Sequence, residues 1–211
     1  MQKANWKINI NRAILENAAP FNNLGKVSEE YLTNSLDAFE TVLHDNKDKE
    51  IKRQDCKIEM IMDIPDLKVI FKDEHELMGM SSDTVLNNFF NLHGVNRARE
   101  RYINVRGKYG TGKCAAFGIK AEKLIVDTVF ESKRTTAEAS YESLQNYEKE
   151  AEIKIIRKDE PTHLPNGTLI IIELPDKLHL QLRAIASAEE HLKKIFGYHL
   201  NKYNVNIYLV T

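Results

Sequence analysis

The chain has 211 residues, 42 % hydrophobic and 29 % charged, a balance that suits one large globular domain or a domain and a half. A formal net charge of −1 excludes an overall basic field that would draw it to nucleic acid, though not a local patch. No apolar run reaches the roughly 18–20 residues that span a membrane, and there is no signal-peptide core, so the expected location is cytoplasmic. Cys56 and Cys114, the only cysteines, form no Cys-x-x-Cys pair and have no histidine at metal spacing; they read as buried thiols.

In chain order, a first helix is expected over Ile10–Ala18, ended by Pro20. Asn22-Asn23-Leu24-Gly25 reads as a turn. A longer helix follows from about Ser28, its cap, to His44, with Leu32, Leu36, Phe39 and Leu43 at helical spacing. Asp45–Arg53 is a charged connector. Cys56–Ile64 alternates as a strand, Pro65-Asp66 turns, and Lys68–Lys72 returns as a second strand. Ser82–Leu92 reads as a helix with Val85, Leu86, Phe89 and Phe90 on its apolar side. His93–Arg106 is polar and basic, without period, and reads as a mobile loop. A glycine-rich turn at Gly107–Gly112 leads into a short helix to about Ile119. Leu124–Phe130 is a strand, and the polar stretch Thr135–Glu150 reads as a surface helix or a hairpin insertion. Glu152–Arg157 and Thr168–Leu174 are strands, Leu180–Phe196 a helix and Val205–Val210 a last strand. Strands that come as hairpins rather than βαβ units imply an α/β two-layer sandwich on a mixed, mostly antiparallel sheet with helices on one face.

Gly107-Lys108-Tyr109-Gly110-Thr111-Gly112-Lys113-Cys114 nearly fits the phosphate-loop pattern G-x-x-x-x-G-K-[ST]. Glycines let backbone N–H groups turn inward as an anion nest, and a following helix points its positive end at phosphate. That chemistry is independent of the fold that uses it. The phosphate-loop fold itself fits poorly. Cys114 stands where Ser or Thr would hold magnesium, and a thiol is a poor ligand for a hard cation. Leu124-Ile125-Val126-Asp127 imitates the acidic second motif, but it follows too soon for the usual helix and crossover.

A second string changes the reading. Glu30-Tyr31-Leu32-Thr33-Asn34-Ser35-Leu36-Asp37-Ala38 puts Glu30, Asn34 and Asp37 at i, i+4 and i+7, on one side of a helix. The string resembles the first motif of the GHKL ATPases, which include gyrase B subunits, ninety-kilodalton heat-shock chaperones, MutL proteins, MORC proteins and sensor histidine kinases. Further pieces follow in the family's order. Met78-Gly79-Met80-Ser81 resembles the end of D-x-G-x-G-M-S. Phe89-Phe90-Asn91-Leu92-His93-Gly94 resembles the approach to the ATP lid. Gly107–Gly112 with Ala115-Ala116-Phe117 resembles the second glycine motif, and Asn166-Gly167-Thr168-Leu169-Ile170 the late G-T motif. The resemblance implies the Bergerat ATP-binding fold over a single domain, residues 1–211, with a lid at about 93–107. It leans toward the chaperone, MutL and MORC branch rather than the sensor kinases. One spacing departs from the pattern: the family's adenine-binding Asp falls by count at His75. Asp73 takes the role if two residues are inserted; otherwise His75 or Glu76 replaces it.

By the resemblance, Glu30 activates water for ATP hydrolysis. Asn34 supplies an oxygen to Mg2+, and Asp37 steadies this side or approaches the adenine. Asp73 accepts from the adenine amino group, supported by Thr168, while Gly79 lets the chain pass close to the base and Met80 belongs to the same cofactor-binding segment. Backbone N–H groups of Gly110, Thr111, Gly112 and Lys113 hold the β- and γ-phosphates, Gly107 and Tyr109 belong to the same cofactor-binding loop, and Lys113 either adds charge or stands as a solvated helix-start lysine. The expected ligands are ATP and ADP with Mg2+. The expected behaviour is slow hydrolysis, lid closure and an ATP-dependent homodimer, in a module at the N-terminal side of a longer protein. A nucleic acid or protein client would be engaged through other domains, and no membrane is involved. Two alternatives stand beside it: a non-catalytic nucleotide-sensing scaffold, and a phosphate-loop NTPase using Gly107–Lys113.

Overall fold

The structure, a computed structural model, describes residues 10–90, 114–146 and 152–211. A seven-stranded sheet runs in the order β5-β4-β3-β6-β2-β1-β7. Its strands are β1 (Lys57–Asp63), β2 (Lys68–Glu74), β3 (Lys123–Phe130), β4 (Lys133–Ser140), β5 (Lys154–Pro161), β6 (Gly167–Glu173) and β7 (Asn204–Val210). Every neighbouring pair is antiparallel except β1 with β7. The expected mixed, mostly antiparallel sheet is therefore present. A phosphate-loop enzyme would need parallel strands joined through helices around its glycine loop, so the phosphate-loop alternative is set aside.

The helices are α1 (Ile10–Ala18), α2 (Leu24–Asp45), α3 (Ala115–Gly118), α4 (Tyr141–Gln145) and α5 (Leu182–Leu200). Strand alternation builds the core between the two layers. Ile58, Met60 and Met62 of β1, Val69 and Phe71 of β2, Leu124 and Val126 of β3, and Ile170 and Ile172 of β6 are buried there. They meet Tyr31, Leu32, Leu36 and Phe39 of α2 and Ala188, Leu192 and Phe196 of α5. The other side of the sheet carries charged pairs such as Lys72 with Glu59 and Glu74, and Lys123 with Glu173.

Three expectations are corrected. First, α2 starts at Leu24, because the Asn23 side chain accepts from Lys26 N–H and caps it; Asn22–Gly25 is not a free turn. Ser28 lies inside the helix, wholly buried, with its hydroxyl unpaired, and is not the cap. Second, the first part of Thr135–Glu150 is not a surface helix; of the two expectations the hairpin holds, but as a strand of the main sheet rather than an insertion. Lys133–Ser140 is a sheet strand with Thr135, Thr136, Ala137 and Ala139 buried, and among the described residues of the stretch only Tyr141–Gln145 is helical. Its hairpin with β3 turns at Glu131 and Ser132, both at positive φ (50° and 59°), without the glycine or asparagine that usually marks such a turn. Third, the helix expected from Ser82 is present but is a π-helix over Thr84–Phe89, with Val85 buried and Phe89 and Phe90 packed partly buried against the core; its expected end at Leu92 lies outside the described residues.

Candidate functional site

The site grows from α2. Its buried stripe of Tyr31, Leu32, Ser35, Leu36 and Phe39 faces the sheet, which leaves Glu30 and Asp37 half-buried and Asn34 exposed along the adjoining side. Burial raises the Glu30 carboxyl above the usual range, and the nearby Glu29 and Asp37 carboxylates raise it further. Such a shift moves a carboxylate toward the proton affinity a general base needs near neutral pH. Glu29 meets His191 Nε2 of α5 at 2.7 Å, which ties α2 to the C-terminal helix one residue from Glu30.

Asp73, near the end of β2, points into the helix side of the sheet and is 7 % exposed. Ser35 Oγ donates to its Oδ2 at 2.9 Å, and Thr168 N–H donates to its Oδ1 at 2.9 Å. The nearby Thr168 hydroxyl also lowers its proton affinity. Asp73 and Thr168 face each other across the β2–β6 ladder, so strand register alone brings them together. Burial pushes the Asp73 carboxyl up to about 6, although the donors from Ser35 and Thr168 pull it down. A carboxylate offers about four lone-pair sites and two are taken by these bonds, so roughly two remain for donors from outside the protein. Cys56 lies alongside, its Sγ 3.4 Å from Met78 Sδ, and burial pushes this thiol up to about 12.

The other two candidates for the same role are placed differently. Glu76 is exposed. The His75 ring packs on Phe39 at 5.1 Å, and its Nδ1 accepts from Leu77 N–H at 3.2 Å. The extra residues form a turn closed by Met78 N–H to His75 C=O at 2.9 Å. Asn166 clamps that turn: its C=O accepts from His75 N–H at 3.3 Å, and its side-chain amide donates to Glu76 C=O at 2.7 Å.

Gly79 follows at φ 101°, where a Cβ would lie 2.0 Å from the Val129 carbonyl oxygen; only glycine fits this approach to β3. Met80 N–H then donates to Thr128 Oγ1 at 2.8 Å. Gly167 answers the same need on β6, where a Cβ would lie 2.1 Å from the Asp73 carbonyl oxygen.

The second glycine segment, Gly107, Tyr109, Gly110, Thr111, Gly112 and Lys113, lies outside the described residues, as does the lid at about 93–107. The helix after it is described. Ala116 N–H donates to the Tyr31 hydroxyl, and Tyr31 stacks on Phe71 at 5.2 Å, which seats α3 beside Glu30. Asp127, the acid of the imitated phosphate-loop motif, is on the opposite side of the sheet. Burial raises its carboxyl, but hydrogen bonds from Arg134 and Thr136 outweigh this and hold it below the usual range. A cleft of about 550 Å3 at the far end of α2, lined by Lys47, Lys49, Lys52 and Lys202, includes none of the residues above.

Sequence reasoning named Asp73, Gly79, Met80 and Thr168, which the fold brings together at one end of β2, β3 and β6. It missed Ser35 and Thr128. Ser35 lies within the quoted α2 string, whereas Thr128 is signalled only by its alternation with Leu124 and Val126.

Among the described residues, no cluster of three or more His, Cys, Asp or Glu side chains is placed to hold a metal. The oxygen donors of Glu30, Asn34 and Asp37 suit Mg2+, which is commonly held by one or two protein oxygens together with phosphates and water. No described helix is long and apolar enough to cross a membrane. A comparison with curated proteins returns no match. The family model described as "Histidine kinase-, DNA gyrase B-, and HSP90-like ATPase" matches residues 23–166, a span that runs from the cap of α2 through Glu30, Asp73 and Gly79 to Asn166. With the mixed sheet, and with α2 laid across the strand that carries Asp73, this match makes the chain a member of the histidine kinase-, DNA gyrase B- and HSP90-like ATPases, a family of ATP-binding domains.

Proposed function

We propose that the domain binds ATP between α2 and the β2–β6 end of the sheet and hydrolyses it slowly. One observation carries this reading. Ser35 donates to the buried Asp73 carboxylate, while its neighbour Asn34 is exposed on the same helix between Glu30 and Asp37. A single rigid helix thus links an acceptor suited to the adenine amino group with oxygen donors suited to a metal and its phosphates.

In this reading Asp73 accepts from the adenine amino group and Thr168 supports the same edge. Asn34 would hold Mg2+, whose chemistry when bound is to neutralise phosphate charge. Glu30 takes a proton from the attacking water; its raised proton affinity favours that task, and Asp37 steadies the same side. Gly107–Lys113 supplies backbone N–H groups to the phosphates. Closure of the 93–107 segment over nucleotide, with ATP-dependent pairing of two copies, completes the proposal as a conformational switch. A client, nucleic acid or protein, is engaged elsewhere.

Calorimetry with ATP-Mg and a phosphate-release assay test it. Glu30→Ala is expected to keep ATP affinity within about threefold and to lower turnover by on the order of 10²–10⁴, the usual contribution of a general base. Asn34→Ala is expected to remove the Mg2+-dependent part of binding. Unchanged turnover in Glu30→Ala would favour a nucleotide-sensing scaffold, and unchanged binding in Asn34→Ala would move the metal elsewhere.

A further inference from the structure

Thr128, in β3, is 1 % exposed and is the hub of the adenine end. Its hydroxyl accepts from Met80 N–H at 2.8 Å and donates to Gly167 C=O at 2.9 Å. Thr168 Oγ1 lies 3.4 Å away, and Thr168 is also the ladder partner of Thr128. The proton on Thr128 follows from its partners. The Gly167 carbonyl accepts only, so the Thr128 proton points there. The Thr128 oxygen is then left to receive Met80 N–H. One side chain therefore couples the Gly79–Met80 segment to the residue that precedes Thr168, and Thr168 holds Asp73 by its N–H. Gly79 packs on Val129, the next residue of the same strand, so two successive positions of β3 carry two successive positions of the turn.

We infer that Thr128 is a positioning residue for adenine recognition. Through its hydroxyl it fixes the Gly79–Met80 backbone and the Gly167–Thr168 backbone relative to each other, and so sets the shape of the slot into which the Asp73 carboxylate projects. It touches no phosphate or metal position in the reading above. Its effect is therefore confined to the base. A buried threonine with a purely structural role would instead weaken every ligand of the domain alike. The inference rests on the ATP-site reading of Asp73.

The test uses Thr128→Val, which keeps the shape and deletes the hydroxyl, with Thr128→Ser and Thr128→Cys beside it. Affinities for ATP, GTP and inorganic tripolyphosphate are measured by calorimetry, with thermal melting to confirm folding. GTP serves because its six-position oxygen would face the Asp73 carboxylate. Thr128→Val is expected to weaken ATP at least tenfold, to reduce the preference for ATP over GTP, and to leave tripolyphosphate within twofold. Thr128→Ser, which restores the hydroxyl, is expected within threefold of wild type. Thr128→Cys, a near-isostere with a weak donor and acceptor, is expected between Ser and Val; if the Val variant does not fold, the order Thr, Ser, Cys decides. Equal weakening of ATP and tripolyphosphate, or wild-type ATP affinity in the Cys and Val variants, overturns the inference. Asp73→Asn is the control for the underlying reading. If it binds ATP like wild type, the site itself is misassigned; if it loses ATP while Thr128→Val does not, only the role of Thr128 fails.

Discussion

Replacing Asp73 with Asn is expected to stabilise the fold while destroying adenine recognition. Burial raises the Asp73 carboxyl from an ordinary 3.8 to about 6. Two pKa units correspond to about 3 kcal/mol between the protonated and ionised forms. The folded state binds the proton more tightly than the unfolded chain. The stabilisation from Asp73 is therefore fully present below about 3.8 and is lost as pH rises through about 6. Near pH 7.5 the side chain is ionised in both states, and the whole ~3 kcal/mol is missing. Asn imitates the protonated acid. Its Oδ1 can accept Thr168 N–H, and its Nδ2 can donate to Ser35 Oγ once that hydroxyl turns. Replacing the charged acceptor by an amide weakens the bonds with Ser35 and Thr168 N–H, which offsets about 1 kcal/mol. The net expectation is a gain of about 1–3 kcal/mol at pH 7.5 that vanishes near pH 4, or about 2–12 °C in melting temperature. Urea denaturation of both proteins from pH 4 to 8 reads this directly, because other groups cancel in the difference. The same variant would set an amide donor against the adenine amino group and lower ATP affinity about ten- to a hundredfold, roughly 1–3 kcal/mol for an unmade buried bond. An Asp73→Asn variant less stable than wild type at pH 7.5, or a stability difference independent of pH, would refute the reasoning.

Two further outcomes follow from the geometry. Gly79→Ala places a methyl 2.0 Å from the Val129 carbonyl oxygen at φ 101° and is expected to cost about 1–3 kcal/mol, with ATP weakened more than tripolyphosphate, as melting and calorimetry would show. Asp127→Asn breaks the two bonds from Arg134 and the one from Thr136 on the far side of the sheet; it should lower stability by about 1–3 kcal/mol and leave ATP affinity within twofold, the reverse of what a phosphate-loop acid would do.

What could be read from the sequence was whatever leaves a period or a punctuation mark. The α1 span, the β1–β2 hairpin and β6 follow from apolar alternation and from Pro20, Pro65 and Asn166-Gly167. β4 escaped because its buried residues are threonines and alanines, which read as polar or neutral, and because its turn has no glycine. The start of α2 was misread because Asn23 serves equally as a turn residue and as a helix cap. The π form of the helix after Ser82 leaves no period that a 3.6-residue template detects. At the site, the α2 string and the Gly-Thr step were legible as motifs, since spacing along one helix or strand is itself geometry. Ser35 and Thr128 were not, because their roles depend on which strands lie side by side.

In the proposed ATP site, that dependence explains how Asp73 can hold the adenine role although the chain departs from the family's spacing. The two extra residues between Asp73 and Gly79 do not push the glycine out of place. They are taken up by a turn closed on itself through His75 and Met78, and clamped by Asn166 from the strand pair that also carries Thr168. Asp73 is fixed independently, by ladder register with Thr168 and by Ser35 from the helix. Gly79 and Met80 are fixed by β3, through the Val129 carbonyl and the Thr128 hydroxyl. Each end of the insertion is thus anchored to a different neighbouring element, so loop length between them is free to vary while their separation in space is not. The bare count falls at His75, and the two-residue insertion that assigns the role to Asp73 is the reading the proposed site uses. In the proposed site, the adenine end depends on the offset between β2, β3 and β6, which backbone ladders set and which the Ser35 and Thr128 hydroxyls and the Thr168 N–H hold in register with the carboxylate.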